Sequence, residues 1–271
     1  MKGWMLLFAA LMLSAQPPSP TYIPQTRFSS GQDIQPTYDG WLRNPDGTFT
    51  MVFGYLNRNY KEELAVPSGP DNNVDGADRG QPTYFLPRRQ AFIFKVQVPK
   101  DWGAQKELIW TVTANGRTEK AYGQLTPEEE ITERMIMTRG GLTRGEDDPN
   151  QPPAITIGPV EGATLSAPLT LSALVTDDGL PKPRTAPARR PTGAPGQSNG
   201  SGARPAGRLT VTWTEYRGPA KVTFDSTGPI LVSDGKTATS AHFSQPGTYV
   251  LRATASDGQL STRADVTITV R

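Results

Sequence analysis

The strongest constraint in this chain is a period of two. In "AFIFKVQV", Phe92, Phe94, Val96 and Val98 alternate with Ile93, Lys95 and Gln97. The same beat recurs in Leu169, Leu171, Ala173 and Val175, in Leu209, Val211 and Trp213, in Tyr249, Leu251, Ala253 and Ala255, and in Val266, Ile268 and Val270. Successive side chains of a strand point to opposite faces, so each run reads as a strand with one face buried. Turn residues punctuate the runs: 27 Gly and 26 Pro occur in 271 residues, of which only 35% are hydrophobic. That balance favours many short strands over long helices. The expected fold class is all-β, with two immunoglobulin-like β-sandwich domains joined by a short helix and linker.

Along the chain, Lys2 followed by "GWMLLFAALMLSA" and Ala15 reads as a signal peptide over residues 1–15, too short in its apolar part to span a bilayer. A leader rich in Pro, Ser and Gln, residues 16–35, is expected to be disordered. Residues 36–125 read as an N-terminal β-sandwich. There "TYDGWLR" leads through "NPDG" to "TFTMVFGYLNRN", and "ELIWTVTA" meets "RTEKAYGQL" at a hairpin whose Asn115-Gly116 supplies positive φ. "TPEEEITERMIM" then predicts a helix of about three turns, with Thr126 and Glu129 as a capping box and Pro127 at the first helical position. That helix and a linker occupy 126–149, with the acids of "PEEE" favourable to its first turn. Residues 150–271 hold about seven strands, the count of an immunoglobulin-like sandwich, with Trp213 at the core position and Tyr249 at the spacing of a tyrosine corner. A disordered insert, 181–207, interrupts them. It carries Lys182, Arg184, Arg189, Arg190 and Arg204 with no acid, so the basic pI comes from one segment and a nucleic-acid binder is not indicated.

"NQPPAITIGP", "LSALVTDDGLP", "LTVTWTEYRGPAKVTF" and "FSQPGTYVLRATASDGQLSTRADVTITV" resemble a PKD (polycystic-kidney-disease-type) domain over residues 150–271. The resemblance implies a β-sandwich spacer or interaction module without catalysis. The insert departs from the family pattern. The N-terminal domain resembles uncharacterised exported bacterial proteins, and no function travels with that likeness.

Chemistry is narrowed by what is missing. There is no Cys, which excludes disulfides, thiol nucleophiles and Cys-based metal sites, and the single His242 excludes paired-His zinc motifs. No G-x-S-x-G elbow, P-loop or dinucleotide fingerprint occurs. What remains is acid. Sandwich topology sends Asp177-Asp178-Gly179, at the end of the second strand, to the same pole as Asp257 in the last hairpin and Asn150 at the domain start. The linker acids Glu146, Asp147 and Asp148 arrive there too, and Asp234 lies toward that end. Several carboxylates at one place repel unless solvated, protonated or bridged by a cation, and an oxygen-only set outside the cell suits calcium. The PKD resemblance implies the same ligands at Asn150, Asp177 and Asp178, with the Gln151 carbonyl as a further one. Asp-Gly is equally the chemistry of a plain turn. A second calcium-like run, "DNNVDGAD", places Asp71, Asn73 and Asp75 at loop spacing, yet Pro82 stands where the bidentate Glu belongs.

The expected function is therefore non-enzymatic: an exported binding or scaffolding protein making protein or glycan contacts at the cell envelope, monomeric, without a transmembrane segment, in the periplasm, at the cell surface or outside the cell. The alternative is a carbohydrate-binding accessory protein using aromatics of the first domain, among them Trp41, Tyr55, Tyr84, Trp102 and Trp110. A carboxylate-based hydrolase is third.

Overall fold

A computed structural model describes residues 27–139, 147–160, 162–182 and 207–271. The expected signal peptide, most of the leader, Glu146 and nearly all of the basic insert lie outside the described residues.

The first domain runs β1 (Ile34–Arg43), β2 (Phe49–Asn57), β3 (Leu64–Ala65), β4 (Asn72–Val74), β5 (Tyr84–Phe85), β6 (Arg88–Val98), β7 (Leu108–Ala114) and β8 (Arg117–Gly123). Its sheets are β1-β2-β6 and β4-β7-β8, with β3-β5 a small ribbon. The β7–β8 hairpin turns at Asn115 and Gly116, with φ of 49° and 76°. The second domain runs β9 (Ala154–Ile157), β10 (Leu169–Thr176), β11 (Thr210–Arg217), β12 (Val222–Phe224), β13 (Ile230–Leu231), β14 (Lys236–Phe243), β15 (Gly247–Ser256) and β16 (Ser261–Val270). Its sheets are β12-β14-β10-β9 and β13-β11-β15-β16. Reading the strands as A to G gives ABE against CFG in the first domain and ABED against CFG in the second, the immunoglobulin arrangement in both. The second also shows its corner: buried Tyr249 donates its hydroxyl to the Gln245 carbonyl at 2.9 Å.

The three-turn helix does not form. Pro127–Glu129 make one 3-10 turn, and a five-residue helix α1 follows at Glu133–Met137. Between them Ile131 is drawn out of helical geometry, because its amide bonds the Trp41 carbonyl at 2.9 Å and its side chain packs on Leu42, Val52 and Phe92. Thr126 accordingly bonds the Glu129 carboxylate instead of a backbone amide.

Phe92 also leaves the expected alternation. The β2–β6 register pairs Phe53 with Phe94 but Tyr55 with Gln90, so β6 bulges over Ala91–Ile93, and Phe92 takes φ of 53° and joins the outer cluster under α1. Opposite the bulge only glycine fits: a Cβ on Gly54 would lie 2.4 Å from Asp39 Oδ2 and 2.5 Å from the Gln90 carbonyl. A bulge leaves backbone groups without ladder partners. The second domain supplies them: Arg252 donates to the Ile93 carbonyl at 2.7 Å, and Arg263 donates to the carbonyls of Phe92 and Ala91.

The domains are joined further by Tyr216 of β11, which is buried in the first domain's core and donates to the Gly80 carbonyl at 2.5 Å. Around it, Gly218 N bonds Thr83 Oγ1 at 3.1 Å, Arg217 meets Asp78 at 2.5 Å and Lys221 meets Glu63 at 2.6 Å.

Candidate functional site

Four sequence-predicted residues meet at one end of the second sandwich. Asn150 precedes β9, Asp177 and Asp178 follow β10, and Asp257 follows β15. Asn150 and Asp257 are buried, at 2% and 1% exposure, and Asn150 Nδ2 donates to Asp257 Oδ2 at 3.1 Å. Asp178 Oδ2 accepts from Gln151 N at 2.9 Å, which ties the start of the domain to the second strand. Asp234 comes near as well, since the adjoining Gly235 carbonyl accepts from Val175 N at 2.8 Å.

Most of the carboxylate oxygens cap turns. Asp257 Oδ1 accepts from Gln259 N and Leu260 N, both at 2.6 Å. Asp177 Oδ2 accepts from Gly179 N at 3.0 Å, and Asp178 Oδ1 from Leu180 N at 2.9 Å. Two oxygens differ: Asn150 Oδ1 and Asp177 Oδ1 are buried with no hydrogen-bond partner. Burial, reinforced by the charges of Asp257 and Asp178, raises the Asp177 carboxyl above its ordinary range against the pull of the Gly179 amide.

The linker acid Asp148 meets a cation that sequence reasoning missed. Arg134 of α1 lies 3.5 Å from Asp148 and donates to the Asn150 carbonyl at 3.3 Å, while Gln259 donates to Asp148 at 2.9 Å. Ser261 adds a bond to the Met137 carbonyl at 3.0 Å. The acidic pole is thus fastened to the inter-domain segment. No local signal marks Arg134 for this role, because its partners lie in chain segments that only folding brings near.

The other acidic run is placed differently. Asn72–Val74 is strand β4, Asn73 caps Gly76 N at 2.9 Å and donates to the carbonyls of Gly69 and Pro70, and Asp75 accepts from Ile109 N at 3.0 Å. Asp71 is exposed and its carbonyl accepts from Thr113 N. Among the described residues, no group of three or more His, Cys, Asp or Glu side chains is arranged to hold a metal ion.

The aromatics on which the alternative, carbohydrate-binding reading depends are mostly core. Trp41, Phe53, Tyr55, Tyr84, Phe85, Trp102 and Trp110 are all buried and Tyr38 and Tyr60 half-buried, while Tyr122 is exposed, at 51%. A sandwich needs large side chains between its sheets, and stacking faces buried there cannot meet a sugar. His242 lies on β14 and bonds Asp225 at 2.8 Å, and Ser240 also turns to Asp225, so the serine does not address the imidazole as a nucleophile would.

No protein-family model matches the chain, and no curated protein does. Among solved structures it is similar to a conjugative transposon lipoprotein from Bacteroides eggerthii at 9% identity and a TM-score of 0.29, covering 43% of this chain and 96% of that one. It is also similar to the D00-D0 domain of intimin at 11% identity and a TM-score of 0.26, covering 88% of this chain and all of that one. The immunoglobulin-like assignment stands on the strand order, and the PKD likeness of residues 150–271 stays a resemblance.

Proposed function

We propose that this chain is an exported, non-catalytic binding or scaffolding protein that makes protein or glycan contacts at the cell envelope. The observation that carries this reading is the docking of the two sandwiches, with Tyr216 in the first domain's core and Arg252 and Arg263 on the carbonyls of its β6 bulge. Two domains locked by buried contacts hold a display surface in fixed orientation, whereas loosely linked domains move by default. A hydrolase needs carboxylates free to reach the reacting atoms, and those of the acidic pole mostly hold turn amides. The PKD resemblance supports the same reading for the second domain. Among the described residues no helix is long and apolar enough to cross a membrane. The purified chain is expected to bind isolated envelopes as a monomer and to give no turnover on a broad panel of glycans and peptides. Turnover that disappears in Asp177→Asn or Glu215→Gln would overturn the non-catalytic reading.

A second reading is favoured by the orphaned oxygens of Asn150 and Asp177: calcium at the acidic pole, held by Asn150, Asp177, Asp178 and Asp257 with the Gln151 carbonyl as a further ligand, once the three carboxylates, which do not form a ready ligand set, turn toward the ion. Oxygen donors suit this hard cation, and an amide-bonded carboxylate oxygen keeps a second lone pair. Bound calcium would supply structural charge neutralisation beside the Arg134 linkage. This reading leaves out Asp71, Asn73 and Asp75, because none of them has a buried oxygen without a partner. Millimolar calcium is expected to raise the melting temperature, and Asp177→Asn to remove most of that rise. A melt indifferent to calcium sinks this reading and leaves the first intact.

A further inference from the structure

The outer face of the β13-β11-β15-β16 sheet is turned toward the first domain, and its register forms two cross-strand rows. Thr212 stands beside Thr254, which stands beside Arg263; Thr214 stands beside Arg252, which stands beside Asp265. Alternation places both rows on the face opposite the buried Trp213 and Ala253. In the second row charge is matched, because Arg252 holds Asp265 with two bonds of 2.7 and 2.8 Å. In the first row it is not. Arg263 bonds only backbone carbonyls, and among the described residues no carboxylate lies within ion-pair distance of it. Burial first, then the neighbouring charges of Arg252 and Arg139, hold its guanidinium below the usual arginine range, with Asp265 and Tyr216 pulling the other way.

Beside this row opens a cleft of about 500 Å³ between the domains, lined by Arg263, Thr212 and Thr254 and, across from them, by Gln90, Glu63 and Tyr84. Its volume falls in the range of small-ligand sites. Nη1 and Nη2 of Arg263 each give one N–H to the bulge carbonyls, which leaves Nε–H and the second proton of each terminal nitrogen for a planar oxyanion, and two hydroxyls one strand spacing apart can donate beside them. On the facing wall Tyr84 donates to Glu63 at 2.5 Å, Glu63 also meets Lys221, and Gln90 donates to the Pro87 carbonyl. It is therefore the Gln90 oxygen and the remaining lone pairs of Glu63 and Tyr84 that can accept from ring hydroxyls. We propose that this inter-domain cleft binds an acidic sugar, with the sugar's carboxylate held between Arg263 and the hydroxyls of Thr212 and Thr254. The proposal rests on the reading of the chain as a binding protein and names its ligand class.

The test is calorimetric titration of the purified chain with three probes: a glucuronate-terminated disaccharide, the same disaccharide with glucose in place of glucuronate, and inorganic sulfate. Binding of the first, with the neutral sugar at least about tenfold weaker, is expected. Arg263→Gln should abolish binding but also loosens the domain junction, so the double variant Thr212→Val, Thr254→Val decides: it leaves the arginine–carbonyl bonds in place and should weaken binding about tenfold without lowering the melting temperature. Equal binding of the neutral disaccharide, binding of sulfate alone, no heat with any probe, or unchanged affinity in the double variant each overturns the proposal. None of these outcomes touches the non-catalytic reading, which fails only on turnover.

Discussion

The two domains share a strand order and fill it in opposite ways. The first is packed with large rings: Phe53, Phe85 and Phe94 surround Trp110, with Phe94 edge-on at 4.8 Å and Phe85 stacked at 6.3 Å. Through this core runs a satisfied polar element, fully buried Asn72, which donates to the carbonyls of Val66 and Pro82 and accepts from Trp110 Nε1 at 3.0 Å. The second is packed mostly with aliphatic and small side chains, including Ala163, Ala173, Ala241, Ala253 and Ala255 beside Leu171, Val211 and Leu251, with Trp213, Phe243 and Tyr249 as its buried rings. Its polar groups are less well served: Trp213 Nε1 and Glu215 Oε1 are buried without partners. One topology therefore tolerates either a polar lock within an aromatic core or an aliphatic core with unsatisfied groups at its margin. The first solution fixes irregular segments that lack strand pattern of their own, which is what Asn72 does for the chain at Val66 and Pro82.

The sharpest way to break the contrast is Asn72→Ala. Two buried carbonyls and an indole N–H would lose their partner, at roughly 1–3 kcal/mol each, so a loss of about 4 kcal/mol is expected in denaturant unfolding. A loss below about 1 kcal/mol would show that the first core does not depend on its polar lock.

The next effect belongs to the second domain. Burial, with the charge of Glu63 adding, pushes Glu215 up to about 7 against the pull of the Val222 amide and Lys221. Between the ordinary value of 4.5 and about 7 the folded chain then binds more protons than the unfolded one. This contribution to stability is complete below that window and is lost as pH rises through it. Asp177 acts in the same direction. Glu215→Gln is expected to flatten the profile and to stabilise the protein at pH 8 by about 2 kcal/mol. An unchanged slope of stability against pH between 5 and 8 would remove Glu215 from the account.

The smallest effect compares the two tryptophans. Trp110→Phe strands Asn72 Oδ1 in addition to losing ring volume, whereas Trp213→Phe removes an N–H that has no partner. The first change is expected to cost about 1–2 kcal/mol more than the second. Equal melting shifts would mean that the indole bond in the first core contributes nothing.

Legibility followed the same division. In the second domain the pattern of β10 alternates buried and exposed at every residue, so period two identified it directly. The meeting of Asn150, Asp177, Asp178 and Asp257 was also readable, because sandwich topology alone assigns those loops to one end. In the first domain β3, β4 and β5 are two or three residues long and carry no period to detect. The aromatics there looked available for stacking because sequence records ring content and not which face of a strand is covered. The bulge at Phe92 escaped for a related reason: the alternation through Phe92 is intact in sequence, and only pairing with a β2 that contains Gly54 shows that the residue belongs to the opposite face.

Arg252 and Arg263 illustrate the limit most plainly. Alternation with Leu251 and Ala253 puts Arg252 on the outside of its sheet, and the outside of a sheet reads as solvent. By itself, the sequence determined that this chain builds strands, where the second sandwich turns, and which acids share its pole, because backbone periodicity and turn chemistry are local. Only the tertiary structure decided that the outer face of that sheet lies against the first domain, so that its arginines satisfy the bulge carbonyls and border a cleft. Contacts between residues more than a hundred positions apart depend on how two finished surfaces fit, and no local pattern encodes that fit.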